Sequence, residues 1–291
     1  RHRYLKNIIV DEAHIIIEWG SSFRIDFQCL DALRKNFISV NNELRTFLLS
    51  ATYSDETIRQ LKIFYSSMNR WLEIRCERLR HETRFDIIKC GDYGEKMNKI
   101  LEAIDFLPRP MIVYVKSPDN AEKLQEKLIS RGYNSARTFT GLTKNESRLQ
   151  IIDDWKNGKF DLMIATCAFG VGVDKKDIRT VLHTYIPENP NKYYQEAGRG
   201  GRDGLPSLST IIYTNQDVDS AFNFVSKVIT TDKLLGRWFS MLNSSMTHPL
   251  HNSQYLIDTY VKPDYNVDEE FIDSISSQDV NWNVYVILFL R

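Results

Sequence analysis

The chain has 291 residues, 42% of them hydrophobic, which is enough for two ordinary domains with packed cores. Lys and Arg number 38 and so do Asp and Glu, which excludes a uniformly basic shell and leaves any nucleic-acid site to a local groove. Four scattered cysteines (Cys29, Cys76, Cys90, Cys167) form no C-x-x-C pair, and no apolar run is long enough for a membrane span.

Taken in order, short apolar runs alternate with amphipathic stretches, the pattern of parallel sheets with crossover helices. Ile8, Ile9 and Val10 form a run ending in acids, expected as a strand buried on both faces. Phe47 to Leu49, followed by Ser50-Ala51-Thr52, repeats that design, and a helix follows with Ile58, Leu61, Ile63 and Phe64 as its expected buried face. The stretch Arg75, Arg78, Arg80, His81 and Arg84 is the densest basic run, but Glu73, Glu77 and Glu82 interrupt it, so a solvated, ion-paired linker accounts for it at least as well as a nucleic-acid contact. A hinge is expected near residue 83. Met111 to Val115 reads as a strand, and Ser117-Pro118-Asp119 opens a helix through Ala121, Leu124 and Leu128 that stops at Gly132. Leu149, Ile151, Ile152 and Trp155 stripe another helix, closed by Asn157-Gly158. Strands are expected at Leu162 to Ala165, at Val181-Leu182 and at Thr210 to Tyr213. Residues 216–243 read as helical, 243–279 carry few signals, and Val284 to Leu290 is an apolar run in search of a partner.

Asp11-Glu12-Ala13-His14 sits directly after the first strand, where open α/β sheets place their ligands. One carboxylate with waters and phosphates suits Mg²⁺, and a neighbouring one suits the base for an attacking water. In the second half, Ile164 to Asp174 is a strand running into a glycine-rich loop, and Tyr193 to Gly204 contains two arginines three residues apart, Arg199 and Arg202, expected on one face of a helical turn.

These segments together resemble the RecQ-like superfamily 2 helicases. The resemblance covers roughly residues 5–215 and rests on Asp11-Glu12-Ala13-His14, on Glu18-Trp19-Gly20 with Phe23-Arg24 and Phe27, on Ser50-Ala51-Thr52, on Ile164 to Asp174, and on Tyr193-Tyr194-Gln195-Glu196-Ala197-Gly198-Arg199-Gly200-Gly201-Arg202-Asp203-Gly204. One departure is the run Ile15-Ile16-Ile17 after the acids, more apolar than the family pattern. The resemblance implies two RecA-like parallel-sheet domains, the first incomplete, at 1–83 and 84–215, with a mostly helical extension at 216–291. It implies ATP and Mg²⁺ as cofactors, held between the domains: Asp11 on the metal, Glu12 as base, Arg199 and Arg202 on the phosphates, and His14, Gln195, Gly172 and Asp174 around the nucleotide. Trp19, Phe23, Arg24, Thr140 and Thr166 would hold DNA, and Ser50 and Thr52 would couple the two sites. Tyr114 and Lys116 end the strand that matches a further helicase motif, and His183 reads as structural.

The function implied is an ATP-dependent DNA helicase or translocase, 3′ to 5′ by resemblance, acting in the cytoplasm or nucleus, with residues 216–291 open to protein partners. No G-x-x-x-x-G-K-[ST] loop precedes Asp11 and the chain starts at Arg1, so a truncated chain, unable by itself to hydrolyse ATP, is expected. Two alternatives stand beside it. An RNA helicase would be distinguished by which single strand stimulates hydrolysis. A non-hydrolysing nucleic-acid-binding module would lack the phosphate loop in its gene.

Overall fold

The computed structural model describes residues 4–17, 30–66, 70–76, 78–170, 174–225, 231–248, 251–262, 280, 283–284 and 286–287. Two compact units divide the chain: Arg1–Leu72 with Lys227–Arg291, and Glu73–Ser226.

The first unit contains two parallel strands, β1 (Asn7–Val10) and β2 (Arg45–Leu48), with Ile8 opposite Thr46 and Val10 opposite Leu48. Helices α1 (Leu30–Val40) and α2 (Asp55–Tyr65) accompany them. Ser54 caps α2, its hydroxyl accepting from the Thr57 N–H. Two expectations fail here. β1 is not buried on both faces, since Ile9 is 64% exposed while Val10 is buried. Among the described residues the strand has a neighbour on one side only, and nothing covers the face that Ile9 presents. On α2 the buried face is Thr57, Ile58, Leu61 and Tyr65, with Ile63 and Phe64 exposed. A period of 3.6 residues carries position 58 to 61 and 65 and leaves 63 on the far side. The run of isoleucines is explained: Ile16 and Ile17 pack with Val10, Ala13, Leu61 and Tyr65 as this unit's core.

In the second unit six strands form one all-parallel sheet: β3 (Thr83–Lys89), β4 (Met111–Tyr114), β5 (Arg137–Phe139), β6 (Leu162–Ala165), β7 (Thr180–His183) and β8 (Ser207–Tyr213), in the spatial order β3-β8-β7-β4-β6-β5. Strands β4, β6 and β7 are buried at every position, as a sheet covered on both faces requires. Alternate residues divide between two cores. Met111, Val113, Ile164, Leu182 and Ile212 meet Ile100 and Ile104 of α3 (Tyr93–Phe106) and Leu124 and Leu128 of α4 (Pro118–Ile129). Ile112, Tyr114, Met163 and Val181 meet Trp155 of α5 (Asn145–Lys156), Phe160 and Phe169. The expected start of α4 is present: Ser117 caps it through the Asn120 N–H, Pro118 stands in its first turn, and Gly132 follows with φ 93°. Leu149, expected on the buried stripe of α5, is 76% exposed; the stripe is Ile151, Ile152 and Trp155.

The basic stretch belongs to this second unit, which begins at Glu73 and takes β3 as an edge strand where a hinge near 83 was expected. Arg80 explains its attachment, donating to the carbonyls of Gly198 at 2.9 Å and Gly201 at 2.6 Å. The unit also runs past residue 215 through α7 (Asn215–Val225).

Among the described C-terminal residues, strands accompany the expected helix. Helix α8 (Thr231–Asn243) is followed by an antiparallel hairpin of β9 (Met246–His248) and β10 (His251–Leu256). The final apolar run has its partner within the chain: Val286 is fully buried with Leu234 and Met241, and Ile287 packs on them. No described helix is long and apolar enough to cross a membrane.

Trp155 is 0% exposed, packs on Phe160 and Phe169, and has the Lys175 ammonium over its ring at 5.5 Å. Trp155→Ala is expected to cost about 3–5 kcal/mol, read from urea unfolding of the second unit. A loss under about 1 kcal/mol would contradict this packing.

Candidate nucleotide and nucleic-acid site

In the first unit the acids occupy the place their sequence position predicts, at the carboxyl end of β1. Asp11 Oδ1 accepts from the Glu12 N–H at 2.9 Å. Glu12 stands in the left-handed region (φ 52°, ψ 39°) and begins a 3₁₀ turn over Ala13–Ile16. A side chain with a Cβ holds that conformation at a cost of about 1–2 kcal/mol. The surrounding bonds enforce it: the Ala13 N–H donates to Leu49 O and the Leu49 N–H to Val10 O, each at 2.9 Å. The turn leaves Glu12 half exposed and buries His14.

His14 then reaches the second strand. Its Nδ1 shares a 2.8 Å hydrogen bond with Ser50 Oγ and lies 3.3 Å from Glu12 Oε2. Ser50 Oγ also accepts from the Thr52 N–H at 3.1 Å. The histidine is therefore a tether between the acids and Ser50-Ala51-Thr52. His14, expected among nucleotide ligands, makes its direct contacts with protein groups.

The second unit gathers its candidates after β6 and after α6 (Pro190–Ala197), a helix capped by Asn189 with Pro190 in its first turn. Arg199 and Arg202 do not share a helical face as expected, because the helix ends at Ala197 and both lie in the tight turns beyond it. Both nevertheless turn toward the segment that follows β6. Arg199 Nη2 donates to Gly170 O at 2.6 Å, and Arg202 Nη1 lies 3.3 Å from Asp174 Oδ1. Arg199 Nε is buried with no acceptor among the described residues. The glycines serve packing here. A Cβ on Gly170 would stand 3.3 Å from the Arg199 guanidinium, and one on Gly201 (φ 62°) would stand 2.7 Å from Leu205 O.

His183, read as structural, is fully buried and joins β7 to this helix through Glu196 Oε2 at 2.9 Å. It stacks on Tyr114, whose hydroxyl donates to Phe169 O at 3.1 Å and is pushed well above its ordinary pKa by burial. Thr166 follows β6 directly, and Thr140 follows β5 in a loop that Arg148 clasps through the carbonyls of Thr140, Gly141 and Thr143. Gln195 is half-buried on α6. Trp19, Phe23, Arg24 and Gly172 lie outside the described residues. Reading the sequence missed Arg80, whose two bonds hold the turn that carries both arginines. Its only signal was a basic run that the neighbouring acids disguised.

Taken unit by unit, these groups have the chemistry of ligands, for a divalent ion in the first unit and for a phosphate in the second. Asp11 is an exposed carboxylate at a strand end, and the buried Arg199 Nε still needs an acceptor of the kind a phosphate oxygen provides.

Residues 95–204 match the helicase conserved C-terminal domain. Over 222 residues the chain is 32% identical to the RecQ-like DNA helicase blm-1 of Caenorhabditis elegans, covering 75% of this chain and 22% of that protein. Over 229 residues it is 30% identical to the ATP-dependent DNA helicase Q5 of Mus musculus, covering 77% of this chain and 23% of that protein. The chain thus spans less than a quarter of the length of these two relatives. In fold it is similar to Saccharomyces cerevisiae Dbp5 bound to RNA and ADP BeF3, with a TM-score of 0.59 at 20% identity, over 76% of this chain and 56% of the other.

Burial, reinforced by the charges of Glu12 and Asp11, pushes the Tyr53 hydroxyl up to about 12. Its ordinary value is 10.0, so from pH 10 upward the unfolded chain gives up a proton that the folded chain keeps. Stability tied to Tyr53 is therefore whole below pH 10 and drains away as pH climbs to about 12. Tyr53→Phe should flatten that decline in alkaline urea melts and remove one tyrosinate absorbance step near pH 12. An unchanged alkaline decline would refute the link.

Proposed function

This chain belongs to the RecQ-like superfamily 2 helicases, and on that premise we propose that the protein is an ATP-driven helicase or translocase on DNA, moving 3′ to 5′ along a single strand. The observation that carries the proposal is the His14–Ser50 tether. It ties the acids that would act on ATP to the Ser50–Thr52 segment through a part-buried bond of 2.8 Å. A shift at either end is felt at the other, which is what coupling hydrolysis to movement requires.

Each residue then has a chemical task. Asp11 would hold Mg²⁺ through one carboxylate oxygen, and the ion, when bound, offsets charge on the phosphate oxygens. Glu12, with its left-handed backbone and half-exposed carboxylate, would take a proton from a water at the strand end. Arg202 is the arginine finger, stabilising charge that develops on the transferring phosphoryl group. Arg199 supports it, with Nε free to donate while Nη2 keeps its bond to Gly170. Gln195 and Asp174 flank these arginines and are assigned to the nucleotide, together with Gly172.

DNA is the proposed track because the relatives at 30–32% identity are named as DNA helicases and because Trp19, Phe23 and Arg24 supply rings and a cation suited to stacked bases. Thr140 and Thr166 would hold its backbone from the second unit.

In the intact protein, Glu12→Gln is expected to keep ATP affinity within about threefold and to lower turnover by about 100-fold or more. Binding is read with a fluorescent ATP analogue and turnover by phosphate release. Turnover within about tenfold of the unsubstituted protein would remove Glu12 from the role of base.

A further inference from the structure

The carboxyl edge of the six-stranded sheet carries a crevice that the motor chemistry does not use. A cavity of about 340 Å³ opens there, walled by Lys116 beyond β4, Thr184 beyond β7 and Thr214 beyond β8. Strand order makes this the topological switch point. From β4 the chain crosses to β5 and β6 on one side, while β7 and β8 lie on the other. Open parallel sheets hold ligands at such points.

The lining is charged one way, with Lys96, Lys116, Lys123 and Lys127 against the single carboxylate of Asp217. At the floor that carboxylate is already committed. Asp217 Oδ2 accepts from Lys96 Nζ at 2.6 Å and from the Thr214 N–H and hydroxyl at 2.8 and 2.9 Å. At the rim, Lys123 meets Asp119 in an exposed pair, which contributes little. Lys116 and Lys127 are exposed and make no ion pair among the described residues. The positive charge is thus left facing the opening.

Register says what passes in front of it. Phe139 is level with Ala165, Ala165 with Tyr114, and Tyr114 with His183. One residue further on, Thr140, Thr166, Val115 and Thr184 form a row across four strand ends. N–H donations continue the ladder from Thr166 to Phe139 O at 3.1 Å, Val115 to Ala165 O at 2.8 Å and Thr184 to Tyr114 O at 3.0 Å. With strands about 4.8 Å apart, the crevice begins within about 10 Å of Thr166. We infer that the crevice is a phosphate subsite for the sugar-phosphate backbone of the same strand that Thr140 and Thr166 hold, extending its track past Lys116 to Lys123 and Lys127. This rests on the proposed motor function. Ammonium groups suit the task as sequence-blind point charges that displace condensed counterions.

The test uses the intact protein and a single-stranded oligodeoxynucleotide, with anisotropy measured over a range of salt. The double variant Lys123→Glu with Lys127→Glu should bind about tenfold or more weakly at low salt, with a salt slope shallower by about 1.4, two phosphate contacts' worth. Lys156→Glu on α5, away from the crevice, should match the unsubstituted protein. Circular dichroism checks that both variants are folded. Unchanged affinity and slope in the double variant would overturn the subsite while leaving the motor standing. If the unsubstituted protein binds no single-stranded DNA, both fall. Calorimetry with inorganic tripolyphosphate separates the sources: lysine-dependent tripolyphosphate binding with unchanged DNA binding would overturn the backbone assignment in favour of a free polyphosphate.

Discussion

A parallel ladder obliges every strand to finish on the same edge, and the second unit is organised by that obligation. Because β4, β5, β6 and β7 keep continuous register, the residues one step beyond them meet in a row without any long-range design of loops. The ladder needs burial on both faces to be stable, and the two apolar layers around Trp155 and around Ile104 and Leu128 supply it. The polar chemistry is then confined to the edge, where backbone groups leave the ladder and side chains reach solvent.

The first unit applies the same rule on a smaller scale. Two paired strands put Asp11-Glu12 and Ser50-Ala51-Thr52 side by side, and His14 converts proximity into a bond. The unfavourable backbone of Glu12 is held by two main-chain bonds to the neighbouring strand, so the position of the carboxylate depends on the pairing itself. Disturbing β2 is therefore a way to disturb the acid without touching it.

Much of the second sheet was legible in the sequence because its central strands are uninterrupted apolar runs and its helices carry capping signals, Ser117-Pro118 among them. What escaped was the edge. Thr83–Lys89 mixes charges with Phe85 and Ile87, both exposed, so neither period nor hydrophobicity marks it as a strand; only pairing with Ser207–Tyr213 makes it one. Helix Tyr93–Phe106 was missed although Asp92, whose side chain accepts from the Glu95 N–H, is an ordinary cap signal. The contiguous motifs were readable as motifs, but the contacts that their residues make were not. That Arg199 bonds Gly170, that Arg80 holds the arginine turn and that His183 locks Glu196 all depend on strand order, which residue spacing does not encode.

As proposed, the intact protein would hydrolyse ATP in answer to DNA. The most direct measurement is the steady-state ATPase rate of the intact protein, alone and with single-stranded DNA or RNA of the same sequence and length. Strong stimulation by DNA, with RNA giving about a tenth of it or less, is the expected result. Equal or greater stimulation by RNA would reassign the track, and no ATPase activity with either strand would contradict the motor outright.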